Sequence, residues 1–216
     1  MRTYRVNDIF YSLQGEGRNT GRAAVFVRFA GCNLRCPFCD TEFDSFTEMT
    51  AEEIVAQVST FGGHSKSSHH QPLLVVLTGG EPTLQVDEPF VDMLHAGGFE
   101  VAMESNGTRP APRNLDWLTV SPKVAVRETE IQMFEGARLP DELKVVFDEN
   151  TDPESFLVPP YLRTPAASER PLLYLQPCDT GDPERNRRIV AACVDYIKQH
   201  PQWRLSLQTH KLANFK

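Results

Sequence analysis

Short apolar runs bounded by turn residues alternate along the chain with stretches that carry helix-start and helix-stop signals. Ala24 to Ala30 predicts a buried strand that runs straight into a cysteine-bearing loop. Thr50-Ala51-Glu52-Glu53 has the spacing of a capping box, with Thr50 as N-cap, and opens a helix reaching about Phe61. Gly62 to Gln71 reads as a polar loop, and its His64, His69 and His70 as solvated side chains. The apolar run from Leu73 is the next strand, followed by Thr78-Gly79-Gly80-Glu81-Pro82. A helix is expected from about Asp87 to Ala96, stopped by Gly97-Gly98. Further strands are expected at Glu100–Glu104, Trp117–Val120, Leu143–Phe147, Leu172–Leu175 and Arg204–Gln208. Pro159 to Pro171 reads as a surface loop. Asp182 as N-cap and Pro183 at the first helical position predict a last long helix.

Such alternation predicts a mostly parallel sheet covered by helices. The polar and glycine-rich segments begin just after strands, at Gly31, Thr78, Glu104, Ser121 and Gln176. In parallel α/β folds that edge carries the ligand site. At 216 residues the chain is expected to be one domain, 1–216, since domains average roughly 150 residues. No apolar run approaches the ~18 residues of a membrane helix, and no signal-peptide stretch follows the N-terminus, so a cytoplasmic protein without membrane contact is expected. The net charge of −7 argues against nucleic acid as the main partner and for a small molecule.

Three of the five cysteines fall within eight residues, Cys32, Cys36 and Cys39, at C-x3-C-x2-C spacing. An odd cysteine count in a reducing compartment points to metal rather than disulfides. Cys193, in an apolar helical stretch, reads as a core residue. Three thiolates fit zinc if a fourth ligand comes from elsewhere. They also fit a [4Fe–4S] cluster with one iron left open for a substrate or cofactor.

With an aromatic Phe38 before the last cysteine, the motif resembles the signature of the radical S-adenosylmethionine enzymes. The resemblance implies that S-adenosylmethionine chelates the open iron and is cleaved to a 5′-deoxyadenosyl radical. Gly79-Gly80-Glu81-Pro82 resembles that family's "GGE" element, and Glu104-Ser105-Asn106 and Ser121-Pro122-Lys123 fall after the following strands. Cofactor contacts are therefore expected from Phe38, Gly80, Glu81, Glu104, Asn106, Ser121, Pro122 and Lys123.

The remaining motifs are narrower. Leu13-Gln14-Gly15-Glu16-Gly17 lacks the third glycine of a dinucleotide fingerprint and has no helix behind it. Together with Arg28-Phe29-Ala30-Gly31-Cys32, Glu142-Leu143-Lys144-Val145-Val146, Gln176-Pro177 and Gln208-Thr209-His210-Lys211, it resembles the 7-carboxy-7-deazaguanine synthase family over essentially the whole chain. That resemblance implies ring contraction of 6-carboxy-5,6,7,8-tetrahydropterin with loss of ammonia, on the way to queuosine-type nucleosides. It implies substrate contacts from Leu13, Gln14, Gly15, Glu16, Arg28, Thr78, His210 and Lys216. Further cofactor contacts would come from Gln176, Pro177, Cys178 and Asp179. Magnesium is implied at Thr41. A homodimer and an electron donor such as flavodoxin are implied as partners.

The implied fold is an incomplete (β/α)6-type TIM-like barrel with about six parallel strands, since the chain falls short of the ~250 residues of a full barrel. The cysteine cluster alone also fits a glycyl-radical activase or a non-enzymatic zinc module. A glycyl-radical activase does not need Gln14-Gly15-Glu16-Gly17 or Gln208-Thr209-His210, and bound zinc without iron would mark the module.

Overall fold

A computed structural model describes residues 2–39, 42, 45–62, 72–123, 133, 136–157 and 171–216. The predicted His64–His70 loop, nearly all of the Pro159–Pro171 loop and Thr41 lie outside the described residues. In chain order the elements are β1 (Thr3–Leu13), β2 (Ala23–Phe29), β3 (Thr47–Thr50), α1 (Ala51–Gly62), β4 (Leu74–Gly79), α2 (Glu88–Ala96) and β5 (Glu100–Ser105). They continue with β6 (Trp117–Val120), β7 (Glu142–Phe147), β8 (Leu172–Pro177), α3 (Pro183–Gln199), β9 (Trp203–Leu205) and α4 (Thr209–Ala213).

The nine strands among the described residues form one sheet in the order β3-β1-β2-β4-β5-β6-β7-β8-β9. From β2 to β9 every neighbour is parallel. β1 and β3 add an antiparallel flap at one edge. Among the described residues the sheet stays open, which is the incomplete barrel that was expected. Seven strands run parallel, the seventh only three residues long. β1 and β3 were not foreseen. β1 buries residues irregularly and carries a register shift between Val6 and Asp8, so it lacks a clean period of two.

The helix signals fold as read. Thr50 and Glu53 close the capping box, with Thr50 N–H donating to Glu53 at 2.7 Å and Glu53 N–H donating to Thr50 Oγ1 at 3.2 Å. Asp87 caps α2 through Phe90 N–H at 3.1 Å. Asp182 accepts from Glu184 N–H at 2.9 Å and Arg185 N–H at 3.2 Å. The expected last strand, Arg204–Gln208, is shorter than predicted. After Leu205 the chain turns back toward the β1–β2 loop, where Thr209 N–H donates to Gly15 C=O at 3.1 Å.

Strand parity divides the two faces of the sheet. Val25, Val75, Leu77, Val101, Met103, Leu143, Val145 and Leu175 belong to the main core, together with Ile54, Phe90, Leu94, Ile189 and Cys193 from the helices. Cys193 is buried there, as its apolar surroundings predicted. The opposite parity, Phe26 and Arg28 on β2, Glu104 on β5, and Lys144 and Val146 on β7, faces a cavity. No helix among the described residues is long and apolar enough to cross a membrane.

Asp182→Ala should leave the first-turn N–H groups of α3 without their side-chain acceptor. The expected loss is about 1 kcal/mol, or about 2–4 °C in Tm, measured by thermal unfolding. An unchanged Tm would show that α3 is held by packing alone.

Candidate active site

The cavity, ≈ 330 Å³, opens at the C-terminal edge of the parallel strands. Cys32, Cys36 and Cys39 line it, none of them in a disulfide among the described residues. Burial pushes the Cys36 thiol up, and Cys39 and Cys32 push it further while Lys123 opposes them, so the three sulfurs sense one another. Among the described residues no group of three or more His, Cys, Asp or Glu is placed to hold a single metal ion. Three thiols that line one cavity suit the three-thiolate ligation of a cluster that keeps one iron open.

Hydrogen bonds tie the cysteine loop to the sheet. Asn106 Nδ2 donates to Asn33 Oδ1 at 2.9 Å and approaches Cys32 Sγ at 3.9 Å. Thr108 Oγ1 accepts from Asn33 at 2.8 Å and itself donates to Asn106 Oδ1 at 2.6 Å. Gly80 N–H donates to Phe29 C=O and Glu81 N–H to Gly31 C=O, both at 2.9 Å. A Cβ on Gly79 would lie 2.2 Å from Phe29 O, and one on Gly80 2.0 Å from Gly31 O. The Gly-Gly pair is thus required by backbone packing against the cysteine loop, and both glycines line the cavity as well.

Glu81 does not line the cavity as expected of a cofactor contact. It is fully buried. Its Oε1 accepts from Thr83 N–H at 3.0 Å and Ser105 Oγ at 2.9 Å, and its Oε2 from Asn106 N–H at 2.7 Å. Glu81 therefore joins the ends of β4 and β5 from behind the wall. Pro122 is likewise buried and absent from the lining. The other expected contacts that the structure describes all line this one cavity: Leu13, Gln14, Gly15, Glu16, Arg28, Phe38, Thr78, Glu104, Asn106, Ser121 and Lys123, and from the last third Gln176, Pro177, Cys178, Asp179, His210 and Lys216.

Electrostatics separates their roles. The Arg28 guanidinium lies 5.5 Å from the centroid of the Phe10 ring, and Lys216 Nζ lies 4.4 Å from the same centroid. Lys216 pairs with Asp8 at 2.6 Å, whereas no carboxylate among the described residues pairs with Arg28. Burial pushes Lys123 down to about 8, assisted by Lys144. Asp179 is held at about 2 by hydrogen bonds, foremost from Lys211. His210 packs so tightly on Gly15 that a Cβ there would sit 2.5 Å from its Nδ1.

Reading by motif gave no role to Lys144 or Glu142. Lys144 is buried on the cavity floor and pairs with Glu16 at 2.6 Å and Glu104 at 2.9 Å. Beside it, Glu142 accepts from Arg18 N–H at 2.9 Å, and its buried Oε1 has no partner among the described residues. A Cβ on Gly17 would lie 2.0 Å from that oxygen, and Gly17 has φ +63°. The last glycine of the N-terminal motif is therefore explained by this carboxyl as well as by its turn. The only advance signal was the position of both residues in Glu142-Leu143-Lys144-Val145-Val146, two charges of one parity within an otherwise apolar strand.

This fold and this cavity define a radical S-adenosylmethionine enzyme, and the Radical SAM superfamily pattern matches residues 26–125. The 7-carboxy-7-deazaguanine synthase of Bacteroides thetaiotaomicron is 43% identical over 98% of each chain. That of Burkholderia multivorans is 40% identical over 98% of this chain and 99% of its own. The crystal structure of QueE from Escherichia coli matches with a TM-score of 0.67 at 27% identity, covering 95% of this chain and 93% of that one. The chain belongs to the 7-carboxy-7-deazaguanine synthase family. As a radical S-adenosylmethionine enzyme it uses a [4Fe–4S] cluster and S-adenosylmethionine on a small-molecule substrate.

Alanine at Cys32, Cys36 or Cys39 should abolish iron incorporation, whereas alanine at Cys178 or Cys193 should leave it intact. Iron and sulfide analysis after anaerobic reconstitution checks this. A cluster that survives loss of Cys36, or is lost with Cys193, contradicts the assignment.

Burial, reinforced by Glu104, pushes Glu142 up to about 7 from 4.5. The folded chain then holds a proton between those values that the unfolded chain has released. Stability from this group falls as pH rises through that window and stays lost above it. Glu142→Gln keeps the acceptor for Arg18 and removes the charge. Its stability relative to the parent should be higher at pH 8 than at pH 5, by up to about 3 kcal/mol. Urea unfolding at both pH values measures the difference, and equal values would contradict a neutral Glu142.

Proposed function

We propose that this chain converts 6-carboxy-5,6,7,8-tetrahydropterin into 7-carboxy-7-deazaguanine with loss of ammonia, feeding 7-deazapurine and queuosine-type nucleoside synthesis. The observation that carries the proposal is that one ≈ 330 Å³ cavity joins the three thiols to Gln14, Glu16, Arg28, His210 and Lys216. The names of the full-length bacterial relatives agree with it.

Cys32, Cys36 and Cys39 would hold the cluster, and Gly80, Asn106, Ser121, Lys123 and Gln176 would receive S-adenosylmethionine. When bound, these two groups supply hydrogen-atom abstraction from the substrate. The protein's part is to bind, orient and shield. Arg28, half-buried on an aromatic ring, presents a planar fork to the substrate carboxylate. Lys216 adds a second positive charge on the same ring. Glu16, held at about 2 because Lys144 outweighs the effect of burial, stays ionised and accepts hydrogen bonds from ring N–H groups. His210, packed on Gly15, covers this end of the cavity and keeps bulk water from the reacting ring.

Magnesium, with Thr41 as its expected ligand, belongs to the same reading, since a hard cation suits a carboxylate substrate. A homodimer, a single-electron donor of the flavodoxin kind, a cytoplasmic location and one domain over 1–216 complete it.

Anaerobic turnover of the carboxypterin with reconstituted enzyme tests the function. The expected product is 7-carboxy-7-deazaguanine, identified by mass, with one ammonia released per product. Consumption of S-adenosylmethionine with the pterin unchanged would contradict it.

A further inference from the structure

The most unusual group in the fold is the ammonium of Lys144. Its side chain is 5% exposed, while the Glu16 and Glu104 side chains that flank it are 19% and 21% exposed. The lysine is thus the most buried of the three, and all three line the cavity. It pairs with Glu16 Oε2 at 2.6 Å and Glu104 Oε2 at 2.9 Å. Gln208 Nε2 donates to Glu16 Oε1 at 3.1 Å, and Gln14 Nε2 donates to Glu104 Oε1 at 3.2 Å.

Each carboxylate has about four acceptor sites. Glu16 therefore keeps one further site on each oxygen. Two parallel acceptors in a row fit a pair of adjacent donors, such as the ring N–H and exocyclic amino group of a pyrimidinone.

We propose that Lys144 is the positioning residue of the substrate pocket, holding Glu16 as a carboxylate so that its two oxygens receive the donor edge of the substrate's pyrimidinone ring. This rests on the pterin reading above and adds to it how the ring is recognised.

Several elements bring charged and polar groups to Glu16. Lys144 and Glu142 come from β7, Glu104 from β5, Lys123 from the segment after β6, and Gln208 and His210 from the C-terminal segment. Burial favours a proton on Glu16, and Lys144, with Gln208 and His210, opposes it. Burial alone would discharge Lys144, but Glu104 and Glu16 hold it protonated. Glu104, farther from the ammonium than Glu16, is pushed up by burial and by the Glu16 charge. The lysine thus keeps the two carboxylates unequal. Without it, two buried acids would share one pocket and at least one would take up a proton.

The test uses full-length holoenzyme and two variants, Lys144→Met and the double variant Lys144→Met/Glu16→Gln. The first readout needs no substrate. The Glu16 carboxyl is followed by carbon-13 NMR against pH, assigned by its loss in Glu16→Gln. In wild type it should stay ionised to below pH 4, and in Lys144→Met its midpoint should rise by two units or more. The second readout is anaerobic binding of 6-carboxy-5,6,7,8-tetrahydropterin. Lys144→Met should bind roughly 30-fold or more weakly at pH 7, as expected when one partner of a buried charge pair is removed. That loss should shrink as pH rises, whereas wild-type binding stays level.

Should Lys144→Met fail to fold, the double variant removes the stranded carboxylate and is measured in its place. It should bind weakly at every pH, since an amide offers donors where acceptors are needed. A Glu16 midpoint that does not move on loss of Lys144, or pterin binding by either variant within threefold of wild type, overturns the proposal. Wild type that shows the low Glu16 midpoint but binds no pterin overturns the functional reading, and with it the ring recognition assigned to Glu16.

Discussion

One buried ammonium holds together three distant parts of the chain. Lys144 on β7 draws in Glu16 from the loop after β1 and Glu104 from the end of β5. Burying three charges is costly, and the cost is offset only where the pairing is close and the remaining acceptors are occupied. Here Gln14 takes one acceptor site on Glu104 and Gln208 one on Glu16. Gln14 in turn folds its own loop, its Oε1 accepting from Gly15 N–H at 2.8 Å. The loop then receives the C-terminal segment, with Thr209 Oγ1 donating to Gly15 C=O at 2.9 Å and Gly17 N–H donating to Ser206 Oγ at 3.0 Å. The cavity floor and its C-terminal cover therefore share one electrostatic anchor.

The second constraint is strand parity. Residues of one parity on β2, β4, β5, β7 and β8 pack the helices, while the other parity forms a small second cluster of Ala24, Leu74, Val76 and Ala102 and, toward the C-terminal strand ends, lines the cavity. The cysteine loop leaves the end of β2, so its thiols join the same edge without a separate scaffold. Gly79 and Gly80 let the end of β4 lie against Phe29 and Gly31. Glu81 then fastens β4 to β5. These contacts fix the cysteine loop before any ligand binds, which is what preorganisation of a site requires.

Local signals were legible in the sequence. Thr50–Glu53, Asp87 and Asp182 act through hydrogen bonds spanning two or three residues, so each cap could be read directly. The cysteine spacing and the polar strand ends were equally readable. What stayed hidden acts at long range. Lys144 meets Glu16 across 128 residues and Glu104 across 40, and no local pattern encodes either pairing. Glu81 was expected at the cofactor from its place in the GGE element, while its partner Ser105 lies 24 residues away. β1 escaped notice because its register shift breaks the alternation that marks a strand.

The central claim is that one cavity at the C-terminal edge of an open barrel receives cluster, S-adenosylmethionine and pterin together. An anaerobic crystal structure with S-adenosylmethionine and carboxypterin measures this most directly. The account predicts a [4Fe–4S] cluster on Cys32, Cys36 and Cys39, the pterin carboxylate at Arg28, and the ring's donor edge on Glu16 with Lys144 behind it. A pterin bound outside this cavity, or turned so that its donors face away from Glu16, would contradict it.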